Sequence, residues 1–326
     1  TPRPSGMRTP AGCSFQGRLV KFTKPPLSLE AQLDLLESRG LGIRDRARAL
    51  EVLRHFNYYR LRAYWMGLEE PAGQGTHRFK PGAQLDQAVA LYVFDRRLRL
   101  LLMDAIERIE VSVRTQWAHQ LSLAHGAHAY LNPDLFKDRT THERLLQSLQ
   151  EEVGRSHETF IQHYQATYSD PALPPMWAAC EVMSFGQLSR WFSALKHRKD
   201  RQRIAAVYDF DEQVLKSFLH HLTHVRNLCA HHARVWNRRF TITLQLPKDR
   251  PSKAFTWFNP KADRNLYNTL AMLGAMLAVV SPESTWPSRV RRLVESEPLV
   301  DPAWMGFPAK WQTFTLWKAL PAPPTP

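Results

Sequence analysis

A long apolar stripe in the first half of the chain limits the possible folds most. Between residues 85 and 117 apolar side chains recur at steps of three or four residues, the spacing of one helix face, with a single step of six. That step turns the stripe by roughly 120°, so the segment is predicted as one kinked helix or two helices in line. The stripe consists of Leu85, Val89, Tyr92, Leu98, Leu102, Ile106, Ile109, Val113 and Trp117.

Most other regular segments are also predicted as helices. Ser28 is placed to cap a helix that continues through Leu36 and is closed by Gly40 and Gly42. Further helices are expected at residues 44–53, 144–153, 177–195 with a break near Gly186, 264–280 and 288–294. The alternating residues 241–246 favour a short β-strand, and the basic run 196–203 is interpreted as a solvated connection.

The same patterns predict a domain organisation. Residues 1–24 are expected to form a disordered basic tail and residues 25–80 an N-terminal helical region that ends in a loop rich in Pro and Gly. Residues 81–320 would form the helical bundle, and residues 321–326 a Pro-rich tail.

The net charge of the chain limits the classes of partner that it is expected to bind. The 326 residues include 44 Lys and Arg against 30 Asp and Glu, a formal net charge of +14. Such an excess favours phosphate-bearing partners, with nucleic acid expected before an anionic membrane. The longest apolar run, residues 270–280, is about half the roughly 20 residues of a spanning helix and is predicted as a core helix. The absence of a secretory signal pattern and of paired cysteines favours a reducing cytoplasm.

One short motif carries a specific chemistry. Arg226, Asn227 and His231 fall in a segment, residues 213–248, that contains no Asp or Glu. On a helix begun by Asp209 and Glu212, Asn227 and His231 share one ridge, and Arg226 lies about 100° round the axis. The buried face of this helix is predicted to hold Val214, Phe218, Leu222, Val225 and Cys229.

These three residue types suit the cleavage of RNA without a metal. The amide can orient the imidazole, and the guanidinium can bind two phosphate oxygens. Since the RNA 2′-hydroxyl is itself the nucleophile, the protein needs only to move protons and stabilise the phosphorane, and histidine titrates in the right range.

Three other interpretations stay open from the residues alone. Arg and His occur at this spacing by chance in the polar helices of many unrelated proteins. A metal site is suggested by His220 and His224 at i, i+4, but no carboxylate accompanies them in the segment, and neither a metal nor another cofactor is expected. A second Arg-x4-His, Arg114 with His119, is interpreted as structural, because Glu110 is placed to pair with Arg114.

Six segments in order resemble one family. The chain is similar to the Abi-like family of bacterial abortive-infection proteins, the AbiD/AbiF group, within the HEPN superfamily of all-helical ribonucleases. The segments are Asn57-Tyr58-Tyr59-Arg60-Leu61; Leu91-Tyr92-Val93-Phe94-Asp95-Arg96 through Arg99; Ile109-Glu110 with Arg114; Pro175-Met176-Trp177 with Glu181 and Ser184-Phe185-Gly186; Arg226 to Asn237; and Met305-Gly306-Phe307-Pro308 with Trp311.

The resemblance implies a fold, an activity and partners. It implies an all-α, HEPN-type helical bundle in a bacterial cytoplasm, with two copies of the motif completing one RNase cleft in a homodimer. Arg226 would stabilise the scissile phosphate, Asn227 would orient and His231 would transfer protons, giving a 2′,3′-cyclic phosphate and a 5′-hydroxyl. A small noncoding RNA is an expected partner beside the RNA substrate, and neither DNA nor a membrane is expected as a partner.

Residues expected to bind RNA surround this motif or lie in other basic segments. They are His232, Arg234, Arg239, Tyr59, Arg60, Arg62, Lys196, Arg198 and Lys199. Aromatic and basic residues alternate in residues 56–65, which suits base stacking beside phosphate contacts, although the same aromatics could form core. The competing functions are a non-catalytic RNA-binding scaffold and a metal-dependent hydrolase.

Overall fold

The computed structural model describes residues 23, 25–71, 77–248 and 255–318. Within these residues the protein is all-α, as predicted, with twelve α-helices, short 3₁₀ turns and no β-sheet. The helices are α1 (Leu29–Ser38), α2 (Arg46–His55), α3 (Tyr58–Trp65), α4 (Leu85–His125), α5 (Arg139–Arg155), α6 (Thr159–Thr167), α7 (Met176–Ala179), α8 (Phe185–Ala194), α9 (Arg198–Ala206), α10 (Glu212–Ala230), α11 (Leu266–Val280) and α12 (Trp286–Ser296).

Helix α4 is the centre of the fold. It runs unbroken for 41 residues, roughly 60 Å, so the step of six in its stripe does not interrupt the helix. Instead its neighbours change along its length. The hydroxyl of Tyr64 in α3 donates to Asp95 (2.7 Å), and the indole of Trp286 in α12 donates to the Leu101 carbonyl (2.7 Å). Because different helices cover successive parts of α4, its buried face turns while the helix continues.

Polar side chains begin the three N-terminal helices. Ser28 caps α1 as predicted, Asp45 caps α2, and Asn57 caps α3 by accepting from the Tyr59 amide (2.8 Å). Helix α3 buries Leu61 and two aromatic side chains against the core that α4 also enters. The domain boundary near residue 80 stays a prediction, and the predicted tails, residues 1–24 and 321–326, lie outside the described residues except for residue 23.

Two local predictions were wrong. Residues 241–246 form no strand: the hydroxyl of Ser217 in α10 accepts from the Gln245 amide (2.8 Å), and the Ile242 carbonyl bonds His221 in the same helix (2.6 Å). The basic run 196–203 is not a solvated connection, because most of it forms α9, which buries Asp200 and Arg201. In both places contacts with distant side chains outweigh the local pattern.

The other helix predictions differ from the structure mainly at helix ends. The predicted helix 177–195 is divided into α7 and α8, with Ser184 capping the second. Helix α10 is capped by Asp211 rather than by Asp209, which takes a positive φ of 57°. Helix α11 lies in the core, as its apolar run predicts, and no helix among the described residues is long and apolar enough to cross a membrane.

Candidate functional site

Helix α10 presents the motif on its polar side. All five residues predicted for the buried face are buried: Val214, Phe218, Leu222, Val225 and Cys229. Arg226 is half-buried at the edge of that face, while Asn227 and His231 are exposed. The Arg226 Nη1 lies 3.5 Å from Asn227 Oδ1. The structure therefore leaves all three motif side chains accessible at one end of the helix.

The motif spans the end of the helix and its first reversal. His231 is the C-cap, and its amide donates to the Asn227 carbonyl (2.9 Å). His232 follows with a left-handed φ of 56°, and the Ala233 amide donates back to the Leu228 carbonyl (2.8 Å). This is a Schellman motif with histidine in the position that glycine usually occupies. His231 is thus held on the last turn, immediately before the chain reverses.

A carboxylate from α4 lies near Arg226, although the sequence around the motif is free of acids. Burial raises the pKa of the Glu110 carboxyl, and the nearby Arg114 and Arg226 guanidinium groups oppose that rise. Glu110 also accepts a hydrogen bond from Arg114, so the predicted pair is present. The positive charge of Arg226 is therefore only partly neutralised, because Glu110 is shared between two arginines.

Arg114 has a structural role beyond this pair. Its guanidinium donates to the Met183 carbonyl (2.7 Å) and to the Glu181 carbonyl (3.3 Å), which fixes the segment between α7 and α8. His119, the second member of that Arg-x4-His, is exposed on α4. The guanidinium of Arg114 is thus occupied by carboxylate and main-chain acceptors, whereas that of Arg226 makes one long contact, to Asn227.

The chain after His232 is held by a buried polar network that sequence reasoning missed. Asp95 is fully buried; its Oδ1 accepts from the Trp236 amide (2.6 Å) and the Val235 amide (3.1 Å), and its Oδ2 accepts from the hydroxyl of Tyr64 (2.7 Å) and from Arg99. We call Tyr64, Asp95, Arg99 and these two amides the Asp95 network. Burial raises the pKa of Asp95, and its four donors oppose that rise. A charged residue inside an apolar stripe was the available sequence signal.

A family model described as Abi-like protein matches residues 51–237. The chain belongs to the Abi-like protein family. The match begins in α2 and ends directly after Trp236, so it includes the Asp95 network and the motif at the end of α10. Comparison with curated proteins and with solved structures found no match. Membership of the family indicates a role in abortive infection.

In this Abi-like protein the residues predicted to bind RNA near the motif fall into two groups. Arg60 donates to the His232 carbonyl (2.8 Å), so it also fixes the reversed turn. Arg234 is half-buried over the Trp236 ring, 5.9 Å from its centroid, and burial lowers its pKa. In contrast, Arg239 is exposed, and Tyr59 is 75% exposed and makes an edge contact with Tyr58.

The more distant candidates are less uniform than their sequence suggests. Arg62 lies 3.3 Å from His77 Nδ1 and is half-buried. Arg198 donates to Glu212 (2.6 Å), which neutralises much of its charge, while Lys196 and Lys199 are exposed. Of these residues the two lysines have the most freely available charge.

The histidines of α10 do not converge with other ligands. Among the described residues no three His, Cys, Asp or Glu side chains form a group that could hold a metal ion. His221 is buried, its Nδ1 bonded to the Ile242 carbonyl (2.6 Å) and its Nε2 to the Thr269 hydroxyl (2.8 Å). A carbonyl only accepts, so Nδ1 carries the proton and Nε2 accepts from Thr269. His220 is exposed to solvent, whereas its neighbour His221 is buried.

Proposed function

We propose that this Abi-like protein is an endoribonuclease of HEPN type that acts in an abortive-infection defence against phage. The observation that carries the proposal is the accessible trio at the end of α10, in which an arginine, an amide and an imidazole lie on a backbone fixed from both sides. A half-buried guanidinium and an exposed imidazole match what RNA cleavage by its own 2′-hydroxyl requires.

Each member of the trio has one role in the proposed reaction. The 2′-oxygen attacks the adjacent phosphorus, the bond to the 5′-oxygen breaks, and the products are a 2′,3′-cyclic phosphate and a 5′-hydroxyl. Arg226 stabilises the negative charge of the phosphorane, because its own charge is only partly matched by Glu110. His231 transfers a proton, and Asn227 orients the His231 imidazole. The reaction needs no redox or Lewis-acid chemistry.

The reaction favours an active homodimer. One proton leaves the 2′-hydroxyl and one reaches the departing 5′-oxygen, yet the trio supplies one imidazole. His231 and Asn227 are exposed, so a second copy of the chain can approach and contribute its own His231 to the same cleft. The proposal includes two RNAs. One is a small noncoding RNA that the protein binds in the bacterial cytoplasm, and the other is the strand that it cuts.

Cleavage of RNA by purified protein in the presence of a chelator tests the proposal. The wild type should cut, with a 2′,3′-cyclic phosphate on the new 3′ end, while Arg226→Ala and His231→Ala should each lose at least about 100-fold in rate. His119→Ala is the matched control, since it removes an exposed histidine of the other Arg-x4-His and should leave the rate unchanged.

Three results would contradict the proposal. Cleavage that persists in His231→Ala removes the assigned role of that imidazole. Cleavage that disappears with the chelator and returns with a divalent cation indicates a metal-dependent hydrolase. Tight binding of RNA without cleavage by the wild type, with or without its co-purified RNA, indicates the scaffold function instead.

A further inference from the structure

A solvent-open cavity with polar lining residues lies beside the first half of α10, whereas the Asp95 network binds the chain beyond the end of this helix. The volume of the cavity is about 360 Å³. The lining residues come from α8, α10 and the irregular segment after α10: Ser193, Gln213, Lys216, Ser217, His220 and Gln245. Every one of these side chains can donate a hydrogen bond, and none is a carboxylate. The Ser217 hydroxyl accepts from the Gln245 amide (2.8 Å), which leaves its own proton free to donate into the cavity.

Two lysines lie at this cavity and a buried arginine lies near them, while no carboxylate among the described residues lines it. Lys216 lines it, and the Lys137 Nζ is bonded to the Ser193 carbonyl (2.5 Å) at its wall. Arg201 is 7% exposed, donates only to main-chain carbonyls, and keeps its Nε buried without a partner. Within the described part of the chain no carboxylate forms a salt bridge with any of the three.

The three charges act on one another. The pKa of Lys137 is lowered by burial and further by the positive charges of Lys216 and Arg201. A buried guanidinium without a counter-ion is unfavourable, and two more cations nearby add to that cost. A bound anion would remove the imbalance, so the arrangement fits a ligand with negative charge and several acceptor oxygens.

The cavity lies on the same face of α10 as Asn227 and His231, and Arg226 lies at the edge of that face. Lys216 and His220 are four residues apart, Asn227 follows two turns after His220, and His231 is four residues further. At 100° per residue these four side chains lie within about 60° of one another around the axis. Lys216 and Asn227 are separated by roughly 16 Å along the helix. A strand whose scissile phosphate lies at Arg226 can therefore continue along this face to the cavity.

We propose that this cavity is a second phosphate subsite, which binds a backbone phosphate of the RNA strand several nucleotides away from the cut. This inference rests on the proposed function for the identity of the strand, and on the cavity and its cations for the site. Lys216 supplies charge, and the His220 ring, the serine hydroxyls and the glutamine amides supply hydrogen-bond donors to the phosphate oxygens. The subsite fixes the direction and register of the strand along α10.

Binding measured without cleavage tests the subsite separately. In a His231→Ala background, affinity for a single-stranded RNA is measured over a range of salt concentrations. Lys216→Gln should raise Kd roughly 3- to 10-fold and reduce the slope of log K against log salt by about 0.7, the value for one lost phosphate contact on a single strand. Lys261→Gln, at an exposed lysine outside the cavity, should change neither the subsite contact nor the slope by that amount.

Further arms distinguish the possible anions and a folding defect. A dinucleotide has one phosphodiester, so it cannot occupy both sites, and its affinity should not respond to Lys216→Gln. Lys216→Arg keeps the charge and should restore the salt slope, whereas a variant that had merely unfolded would not be rescued. An unchanged slope in Lys216→Gln overturns the subsite, as does a cavity that binds inorganic phosphate while RNA affinity is unaffected.

The two proposals fail in distinguishable ways. If the wild type binds RNA but does not cut it, a reduced slope in Lys216→Gln still supports the subsite. If RNA is cut in a manner that depends on His231 and the slope does not change, the subsite is wrong and the ribonuclease proposal stands.

Discussion

Replacing Asp95 by Asn should keep the hydrogen bonds to one oxygen of the Asp95 side chain and disrupt those to the other. The Asn Oδ1 can still accept from the Val235 and Trp236 amides, which both bond Oδ1 of the native carboxylate. The new amide nitrogen, however, faces two donors in the place of Oδ2, the Tyr64 hydroxyl and Arg99. The hydroxyl can rotate and accept, but a guanidinium has no acceptor, and Arg99 is only 5% exposed. Its charge is therefore left buried and unpaired.

The magnitude follows from that unpaired charge. Breaking a buried ion pair on one side costs about 3–5 kcal/mol, and we expect the lower part of this range, about 3 kcal/mol, because two of the four hydrogen bonds to residue 95 persist. Tyr64→Phe removes one donor and leaves the carboxylate with three, so it should cost about 1–2 kcal/mol. Adding Arg99→Met to Asp95→Asn removes the unpaired charge and should recover part of the lost stability.

Urea unfolding followed by far-UV circular dichroism measures these free energies, and hydrogen exchange at the Val235 and Trp236 amides reports the local effect. Asp95→Asn should lower the free energy of exchange at both amides by less than it lowers the global free energy of unfolding, because their acceptor remains. A cost below about 1 kcal/mol for Asp95→Asn would refute the reasoning. So would a double variant that is no more stable than Asp95→Asn alone, since the unpaired guanidinium would then not be the cause.

Three further predictions concern stability. Burial lowers the pKa of His221 from its ordinary value near 6.5 to about 4, so the imidazole takes up a proton on unfolding when the pH is below about 6.5. The contribution of His221 to the free energy of unfolding is full above that pH, falls as the pH drops, and levels off below about pH 4 after a loss of about 3 kcal/mol. Urea unfolding over this pH range should show that component in the wild type and not in His221→Gln. His232→Gly relieves a left-handed conformation and should raise the free energy of unfolding by up to about 1 kcal/mol; a loss would mean that the imidazole makes stabilising contacts. Gly306→Ala should cost roughly 2–4 kcal/mol, because φ is 85° and the new Cβ would lie 2.7 Å and 2.8 Å from two neighbouring Cβ atoms. Gly82→Ala, at φ of 80° in open space, is its matched control and should cost only the conformational part, about 1–2 kcal/mol.

The sequence predicted those features that depend on local pattern. The cap at Ser28 and the buried face of α10 follow from spacing within one helix, and the structure has them. The Glu110–Arg114 pair was predictable for the same reason, since both residues lie on one helix face. The all-α class, which the family resemblance implied, is also confirmed. Local spacing carries no information on which helix covers which, and that is where prediction stopped.

The missed features depend on contacts between distant parts of the chain. Asp95 and Trp236 are 141 positions apart, so nothing near Asp95 indicates that it accepts two amides beyond α10. Arg201 was taken for part of a solvated basic run because its own neighbours are polar, yet it is buried by packing of α9. The short strand predicted near Ile242 failed because a side chain of α10, rather than another strand, bonds its backbone.

The position of His231 is set by three separate parts of the chain. Helix α10 ends at this residue, and the left-handed His232 turns the chain back toward α4. Arg60 from α3 holds the His232 carbonyl, and Asp95 from α4 holds the amides of Val235 and Trp236. An imidazole on a free helix end would sample many positions, whereas proton transfer requires a donor and an acceptor within hydrogen-bonding distance. Two of the segments that resemble the family, residues 57–61 and 91–99, therefore act on the candidate site by fixing the backbone that carries His231. Loosening Arg60 or Asp95 should therefore lower the cleavage rate more than it weakens RNA binding.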